Sequence, residues 1–135
     1  MDSQTVTGSV ILYVESRVRE PLPDAEIART CGLSAAHMRD LFRRRMGIPL
    51  GTYIRRRRIT YAAFDLLHSG DSVLDIAARY GFEVPDTFTR AFRRETGYTP
   101  SGFRRARPPM GTKRLCGGAF GICIATVRME REEET

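Results

Sequence analysis

The fold of this chain is decided by residues 72–92, SVLDIAARYGFEVPDTFTRAF. Ser72, followed three residues later by Asp75, has the pattern of a helix N-cap with an acidic residue at the third helical position. Apolar residues then recur at helical spacing as far as Gly81, a residue that can end a helix with a positive φ. A second amphipathic pattern begins after a short turn. Helix, glycine-containing turn and helix form the helix-turn-helix pattern, whose second helix has the shape to enter a DNA major groove.

The same pattern occurs earlier in the chain. Residues 27–33 match residues 76–82 at an offset of 49, with isoleucine–alanine pairs and glycines in step. After the turn the offset becomes 50, and it holds through the Phe-Arg-Arg triplets at 42–44 and 92–94. The second turn therefore contains one extra residue. So long a match predicts two helix-turn-helix units.

The remaining patterns are also helical. Valines and an isoleucine at helical spacing predict a first helix over about residues 4–19, packed across the first helix-turn-helix. Residues 49–68 predict one long helix whose apolar positions change sides, so that its two halves belong to different units. The expected fold is all-α and homeodomain-like, with two helix-turn-helix subdomains in residues 1–107. The first unit covers 4–48, the linker helix 49–68 and the second unit 71–107.

Residues 108–135 differ in composition and read as a linker and tail. Residues 121–130 are rich in β-branched side chains and predict a weak strand. A single strand has no partner inside a helical domain. Three interpretations stay open: a disordered tail, pairing with a second copy of the chain, or the first part of a missing effector domain.

The charge is concentrated in one residue type. The net charge is +6, and residues 1–107 contain 18 arginines and no lysine, against 12 acidic residues. Arginine suits planar recognition of phosphate and guanine better than lysine does. The alternative is an ordinary solvated basic surface.

Other classes of protein find little support in the sequence. Cys31, Cys116 and Cys123 are too few and too widely spaced for a zinc module or a disulfide scaffold. The sequence shows neither paired carboxylates with a metal-binding pattern nor a nucleophile with a base. It therefore does not indicate an enzyme, and no cofactor is expected. No apolar run approaches the ~20 residues of a membrane span, and no signal peptide is recognisable. We therefore expect no membrane association and a soluble protein of a reducing cytoplasm.

Four consecutive arginines occupy residues 55–58 of the long helix. Four successive residues spread over roughly 300° of a helix, so they cannot all meet one partner. Some are expected to touch phosphates, with Arg55 and Arg57 favoured. At least one is expected to pair with an acid or to extend its stem along the surface.

Two helix-turn-helix units joined by a long helix resemble the DNA-binding domain of the AraC/XylS family of bacterial transcription regulators. The resemblance covers about residues 6–107 and rests on the repeated motifs above, together with Tyr53-Ile54-Arg55, Tyr80-Gly81-Phe82 and Pro100. It is greatest to the short members of the MarA, SoxS and Rob type. The resemblance implies that one subunit places both recognition helices in successive major grooves of promoter DNA and bends it. It also implies RNA polymerase as a partner.

The resemblance assigns base-reading positions in each recognition helix. These are Ala36, Arg39 and Asp40 in the first and Pro85, Asp86, Thr87 and Arg90 in the second. The predicted phosphate contacts are Ser34, Arg43, Arg44, Arg55, Arg57, Arg93 and Arg94. Arg39 and Arg90 are the best candidates for bidentate guanine contacts, and a phosphate contact is the alternative for each.

Several of these positions depart from the MarA type. Ala36 stands where a large residue is common, Asp40 where that type has a base, and Pro85 and Asp86 where it has two glutamines. The target sequence therefore cannot be transferred. Asp40 has three possible roles: accepting from a cytosine amino group, orienting a neighbouring arginine, or pairing with Arg43 or Arg44.

The predicted function is sequence-specific binding of double-stranded DNA by a transcription regulator, with activation expected. Binding as a monomer is possible, and dimerisation through the tail is an open alternative. A second hypothesis is a ligand-responsive regulator whose C-terminal effector domain is truncated or missing; the weak strand is its only motivation.

Overall fold

A computed structural model of the chain describes residues 3–108. Seven helices and no strand occur within this range, which confirms the all-α fold. The predicted strand at 121–130 lies outside the described residues. The helices are α1 (Ser3–Ser16), α2 (Asp24–Cys31), α3 (Ala35–Met46), α4 (Leu50–His68), α5 (Val73–Arg79), α6 (Pro85–Thr96) and α7 (Pro100–Ala106).

The chain forms two compact units that divide between Arg57 and Arg58, inside α4. We call the part before this point unit 1 and the part after it unit 2. The 19 residues of α4 form one uninterrupted helix, as predicted for this segment. Its two halves contribute to different cores, because Tyr53 packs against Phe42 in unit 1 and Tyr61 stacks on Tyr80 in unit 2.

The core of unit 1 is largely aliphatic and also contains the buried Phe42 and Tyr53. α1 packs against both α2 and α3. Its contribution is a row of fully buried valines at helical spacing, Val6, Val10 and Val14, and α2 and α3 contribute the buried Ile27 and Met38. β-branched residues lower helix propensity, so the burial of this row is what stabilises α1. α1 ends at Ser16, three residues before the predicted end, and a turn follows up to Pro21.

The core of unit 2 is aromatic. Phe82, Phe88, Phe92 and Phe103 form a continuous series of ring contacts, with centroids 5.1, 5.6 and 5.3 Å apart in that order. Tyr98 meets Phe103 at 5.9 Å. Such tilted and edge-on pairs add to the free energy of burial. The series joins the turn after α5 to α6 and α7, so it determines how α6 lies within its unit.

The two turns are built alike. Gly32 and Gly81 both have left-handed backbone, at φ 68° and 83°, where residues with a side chain are strained. The N–H that follows each glycine donates to a carbonyl of the helix before the turn, from Leu33 to Ala28 and from Phe82 to Ala77. Four positions separate Gly81 from the start of α6, and three separate Gly32 from the start of α3. The extra residue predicted for the second turn is therefore present.

Candidate nucleic-acid interface

α3 presents its polar residues on the side opposite the core of unit 1. Met38 and Phe42 are buried, whereas Ala36, Arg39 and Asp40 are exposed. Ser34 is the N-cap of the helix, and its Oγ accepts a hydrogen bond from the His37 N–H at 3.2 Å. The predicted base-reading positions of the first unit thus lie on a solvent-facing side of the second helix of a helix-turn-helix.

Arg39 is held by an acidic residue of the neighbouring helix. Its Nη1 lies 2.9 Å from Oδ2 of Asp24, the first residue of α2. The Arg39 side chain remains 51% exposed and that of Asp24 37% exposed. The bond therefore restrains the guanidinium without removing it from solvent, and most of its N–H donors stay available.

Asp40 forms an ion pair within α3. Its Oδ2 lies 3.1 Å from Nε of Arg44, one helical turn further on. An acid placed four residues before a base is the favourable order on a helix, although so exposed a pair contributes only a few tenths of a kcal/mol. Of the roles open to Asp40, pairing with Arg44 is the one present in this structure. Arg44, a predicted phosphate contact, therefore already has an acidic partner.

α6 has the same division between buried and exposed sides. Phe88, Ala91 and Phe92 are buried, and all four predicted base-reading residues of this helix are exposed: Pro85, Asp86, Thr87 and Arg90. Pro85 is the first residue of the helix, a position where the missing N–H is not needed.

Several arginines on the exposed sides of α3 and α6 have no side-chain partner among residues 3–108. They are Arg43, Arg90, Arg93 and Arg94. A guanidinium without an internal partner keeps its full charge and all five donors for phosphate or for a base edge. These four side chains are therefore available for the contacts predicted for them.

The four arginines of α4 do not share one environment. Arg57 is only 2% exposed, and its Nε and Nη2 both bind the carboxylate of Glu15, with 2.9 Å from Nη2 to Oε2. Tyr53 also directs its hydroxyl to Glu15 Oε1, at 3.4 Å. The predicted phosphate contact of Arg57 is therefore wrong, because this side chain lies inside unit 1. Arg57 therefore pairs with an acid, as expected for at least one member of the run.

Arg55 and Arg58 are half-buried. The Nε of Arg55 is buried and has no hydrogen-bond partner within the described part of the chain. Burial lowers the pKa of Arg58 from its usual value. Arg55 remains a candidate phosphate contact.

A network of charged residues in unit 2 was not predicted from the sequence. Asp65 of α4 is 4% exposed and accepts from the Tyr80 hydroxyl at 2.6 Å and from Arg79 Nη1 at 2.8 Å. Nη2 of Arg79 lies 2.5 Å from Asp71 Oδ2. This hydrogen bond is the main reason that the pKa of Asp71 is lowered, and the two carboxylates together raise the pKa of Arg79.

The same network includes the end of α4. Arg104 of α7 donates to the main-chain carbonyls of Leu66 at 3.0 Å, Ser69 at 3.2 Å and Asp71 at 2.6 Å. A helix leaves its last carbonyls without partners, so a cation here is favourable. These bonds connect α4, α5 and α7 within unit 2.

Other kinds of site find no support in the described range. Residues 3–108 contain no cluster of three or more histidine, cysteine or acidic side chains that could hold a metal ion. None of the seven helices is both long and apolar enough to span a membrane.

Two helix-turn-helix units, each with an arginine-bearing second helix facing solvent, are the architecture of the helix-turn-helix class of DNA-binding domains. A sequence-family profile described as a helix-turn-helix domain matches residues 27–106. The chain belongs to the AraC-type family of helix-turn-helix transcription regulators, as the resemblance implied.

Known proteins agree with this membership. The regulatory protein SoxS of Salmonella typhimurium is 34% identical over 104 residues, which cover 77% of this chain and 97% of SoxS. An AraC-type transcriptional regulator from Chromobacterium violaceum has a TM-score of 0.74 and 26% identity, covering 78% of this chain and 94% of that structure. The DNA-binding domain of AdpA, solved with a target DNA, has a TM-score of 0.69 and 26% identity. The match covers 82% of this chain and 100% of the AdpA domain. The first curated relatives are longer proteins, of which this chain spans 41%.

Proposed function

We propose that this chain is a sequence-specific regulator of transcription that binds double-stranded promoter DNA through α3 and α6, in successive major grooves. The observation that carries the proposal is the placement of Arg39 and Arg90 on the exposed sides of these two helices. An arginine can bond two acceptors of guanine at once, so each helix has a side chain able to distinguish base pairs.

The contacts divide by chemistry. Base readout is assigned to the exposed residues of the two helices, namely Ala36, Arg39, Asp40, Pro85, Asp86, Thr87 and Arg90. Phosphate binding is assigned to Ser34, Arg43, Arg44, Arg55, Arg93 and Arg94. Phosphate contacts supply most of the affinity and its salt dependence, and base contacts supply the choice of sequence.

The finer assignments rest on family membership. We propose that the chain binds DNA as a monomer, because one subunit contains both recognition helices. RNA polymerase is the proposed protein partner and activation the proposed outcome, in accordance with one relative that is named a transcriptional activator. Because the proposed target is DNA, the proposed location is the bacterial nucleoid.

Selection of bound duplexes from a random pool tests the proposal. The wild-type chain is expected to enrich one sequence with two conserved segments about one helical turn apart. Arg39→Ala should remove the preference in one segment and Arg90→Ala in the other. Arg17→Ala is the control, because Arg17 is exposed but lies outside both helix-turn-helix motifs. Enrichment of no sequence by the wild-type chain would refute the proposed function.

A further inference from the structure

The ion pair between Asp24 and Arg39 bears on how the first unit reads DNA. Asp24 begins the first helix of the helix-turn-helix, and Arg39 lies on the exposed side of the second. An acidic residue beside a DNA-binding surface repels phosphate, so its presence there needs a reason.

The second unit indicates that this carboxylate is not needed for the fold. At the offset of 49 that applies before the turn, Asp24 corresponds to Val73, and at the offset of 50 that applies after it, Arg39 corresponds to Thr89. Unit 2 forms the same helix-turn-helix without either member of the pair. The two positions that hold the acid and the arginine of this pair in unit 1 therefore hold neither in unit 2.

The pair changes which ligand Arg39 favours. Attraction of a guanidinium to phosphate depends on its net charge, and a carboxylate at 2.9 Å largely neutralises that charge. Hydrogen bonds to the neutral acceptors O6 and N7 of guanine depend instead on the direction of the N–H groups. The bond to Asp24 engages Nη1 from one side and leaves donors of the same guanidinium exposed.

We infer that Asp24 is a positioning residue that makes Arg39 a reader of guanine rather than a phosphate contact. This inference rests on the proposed function and decides between the two roles that Arg39 could have. Asp24 restrains the guanidinium before DNA arrives, so less side-chain freedom is lost on binding. It also lowers the affinity of this helix for DNA of any sequence.

The test measures discrimination separately from affinity. Wild type, Asp24→Asn, Arg39→Ala and the double variant are titrated by fluorescence anisotropy against the selected duplex, against single-base variants of it and against a random duplex, at several salt concentrations. Arg39→Ala identifies the base pair that Arg39 reads. A bidentate guanine contact gives roughly 5- to 150-fold discrimination there.

Asp24→Asn is expected to bind the random duplex more tightly, with a salt dependence steeper by about 0.9 in log–log slope, because Arg39 gains a phosphate. Its discrimination at the Arg39 base pair should fall most of the way to that of Arg39→Ala. In the Arg39→Ala background the same substitution should leave discrimination unchanged. Unchanged discrimination in Asp24→Asn, or an equal loss in both backgrounds, would overturn the inference.

Two further variants separate the proposed role of Asp24 from a general effect of charge and from unfolding. Glu26→Gln removes an acid from the same first turn of α2, where Glu26 is exposed and has no side-chain partner within residues 3–108. It should leave discrimination at the Arg39 base pair intact, and a loss equal to that of Asp24→Asn would assign the effect to general charge. If Asp24→Asn unfolds, Asp24→Val carries the residue that unit 2 has at this position. A wild-type chain without sequence preference would refute the proposed function before any variant is compared.

Discussion

Removal of the Glu15 carboxylate should destabilise unit 1 more than removal of any exposed acid. Glu15 of α1 is 17% exposed and binds Arg57, which is 2% exposed, through two parallel N–H···O contacts. In Glu15→Ala the arginine keeps its charge inside the protein without its carboxylate. Breaking a buried pair in this way costs about 3–5 kcal/mol, because the remaining charge is not solvated.

Because Glu15 keeps some exposure to solvent, the expected loss in the free energy of unfolding lies near the lower end of this range, at about 3 kcal/mol. For a domain of this size, 1 kcal/mol corresponds to roughly 4 °C in Tm, so Tm should fall by about 12 °C. Thermal unfolding followed by circular dichroism at 222 nm, with urea unfolding at 25 °C, measures both quantities.

Two comparisons identify the cause. Asp40→Ala breaks the exposed pair with Arg44 and should change stability by less than about 0.5 kcal/mol. The double variant Glu15→Leu/Arg57→Met replaces both charges by apolar groups and should recover most of the loss, since such replacements are often neutral. A loss below about 1 kcal/mol in Glu15→Ala, or no recovery in the double variant, would refute the reasoning.

Three more expectations concern the salt dependence of DNA binding, the bending of the bound DNA and the pH dependence of stability. Arg55→Ala should reduce the salt slope of DNA binding by about 0.9, whereas Arg57→Met should leave it unchanged; equal slopes for the two variants would contradict the burial of Arg57. The bound duplex should be bent, because grooves on one face lie about 34–36 Å apart and α4 runs without interruption through both units. Complexes with the site at different positions in a fragment should then differ in gel mobility, and equal mobilities would exclude bending. The lowered pKa of Asp71 stabilises the fold only while the carboxylate is ionised. The stability difference between wild type and Asp71→Asn should be present at pH 7 and vanish as the pH falls through the folded-state pKa, and a pH-independent difference would contradict this.

The helices and the repeat could be predicted because they depend on residues that lie close together in the sequence. Ser34 and Ser72 cap helices through hydrogen bonds to N–H groups three residues away, and Gly32 and Gly81 supply the left-handed turn residue. Each of these features involves residues within one or two turns of helix, so spacing alone reveals it. The same periodicity predicted which sides of α3 and α6 are exposed.

The partners of the charged side chains could not be predicted in this way. Arg57 lies on the α4 side that also contains the buried Leu50 and Tyr53, and this helical spacing was the available signal for its burial. Its partner Glu15 is 42 residues away in the chain, and Asp24 is 15 residues from Arg39. Nothing in the sequence between these residues specifies which acid each arginine meets.

The sequence by itself determined six of the seven helical segments, two similar helix-turn-helix units and the residues of each second helix that face solvent, because hydrogen bonding and amphipathic spacing act over a few residues. The tertiary structure alone decided which arginines are available to DNA. Folding places the Glu15 carboxylate of α1 beside Arg57, and the packing of α2 against α3 accompanies the placement of the Asp24 carboxylate beside Arg39. An arginine's environment depends on every helix packed around it, and that is settled only when the chain has folded.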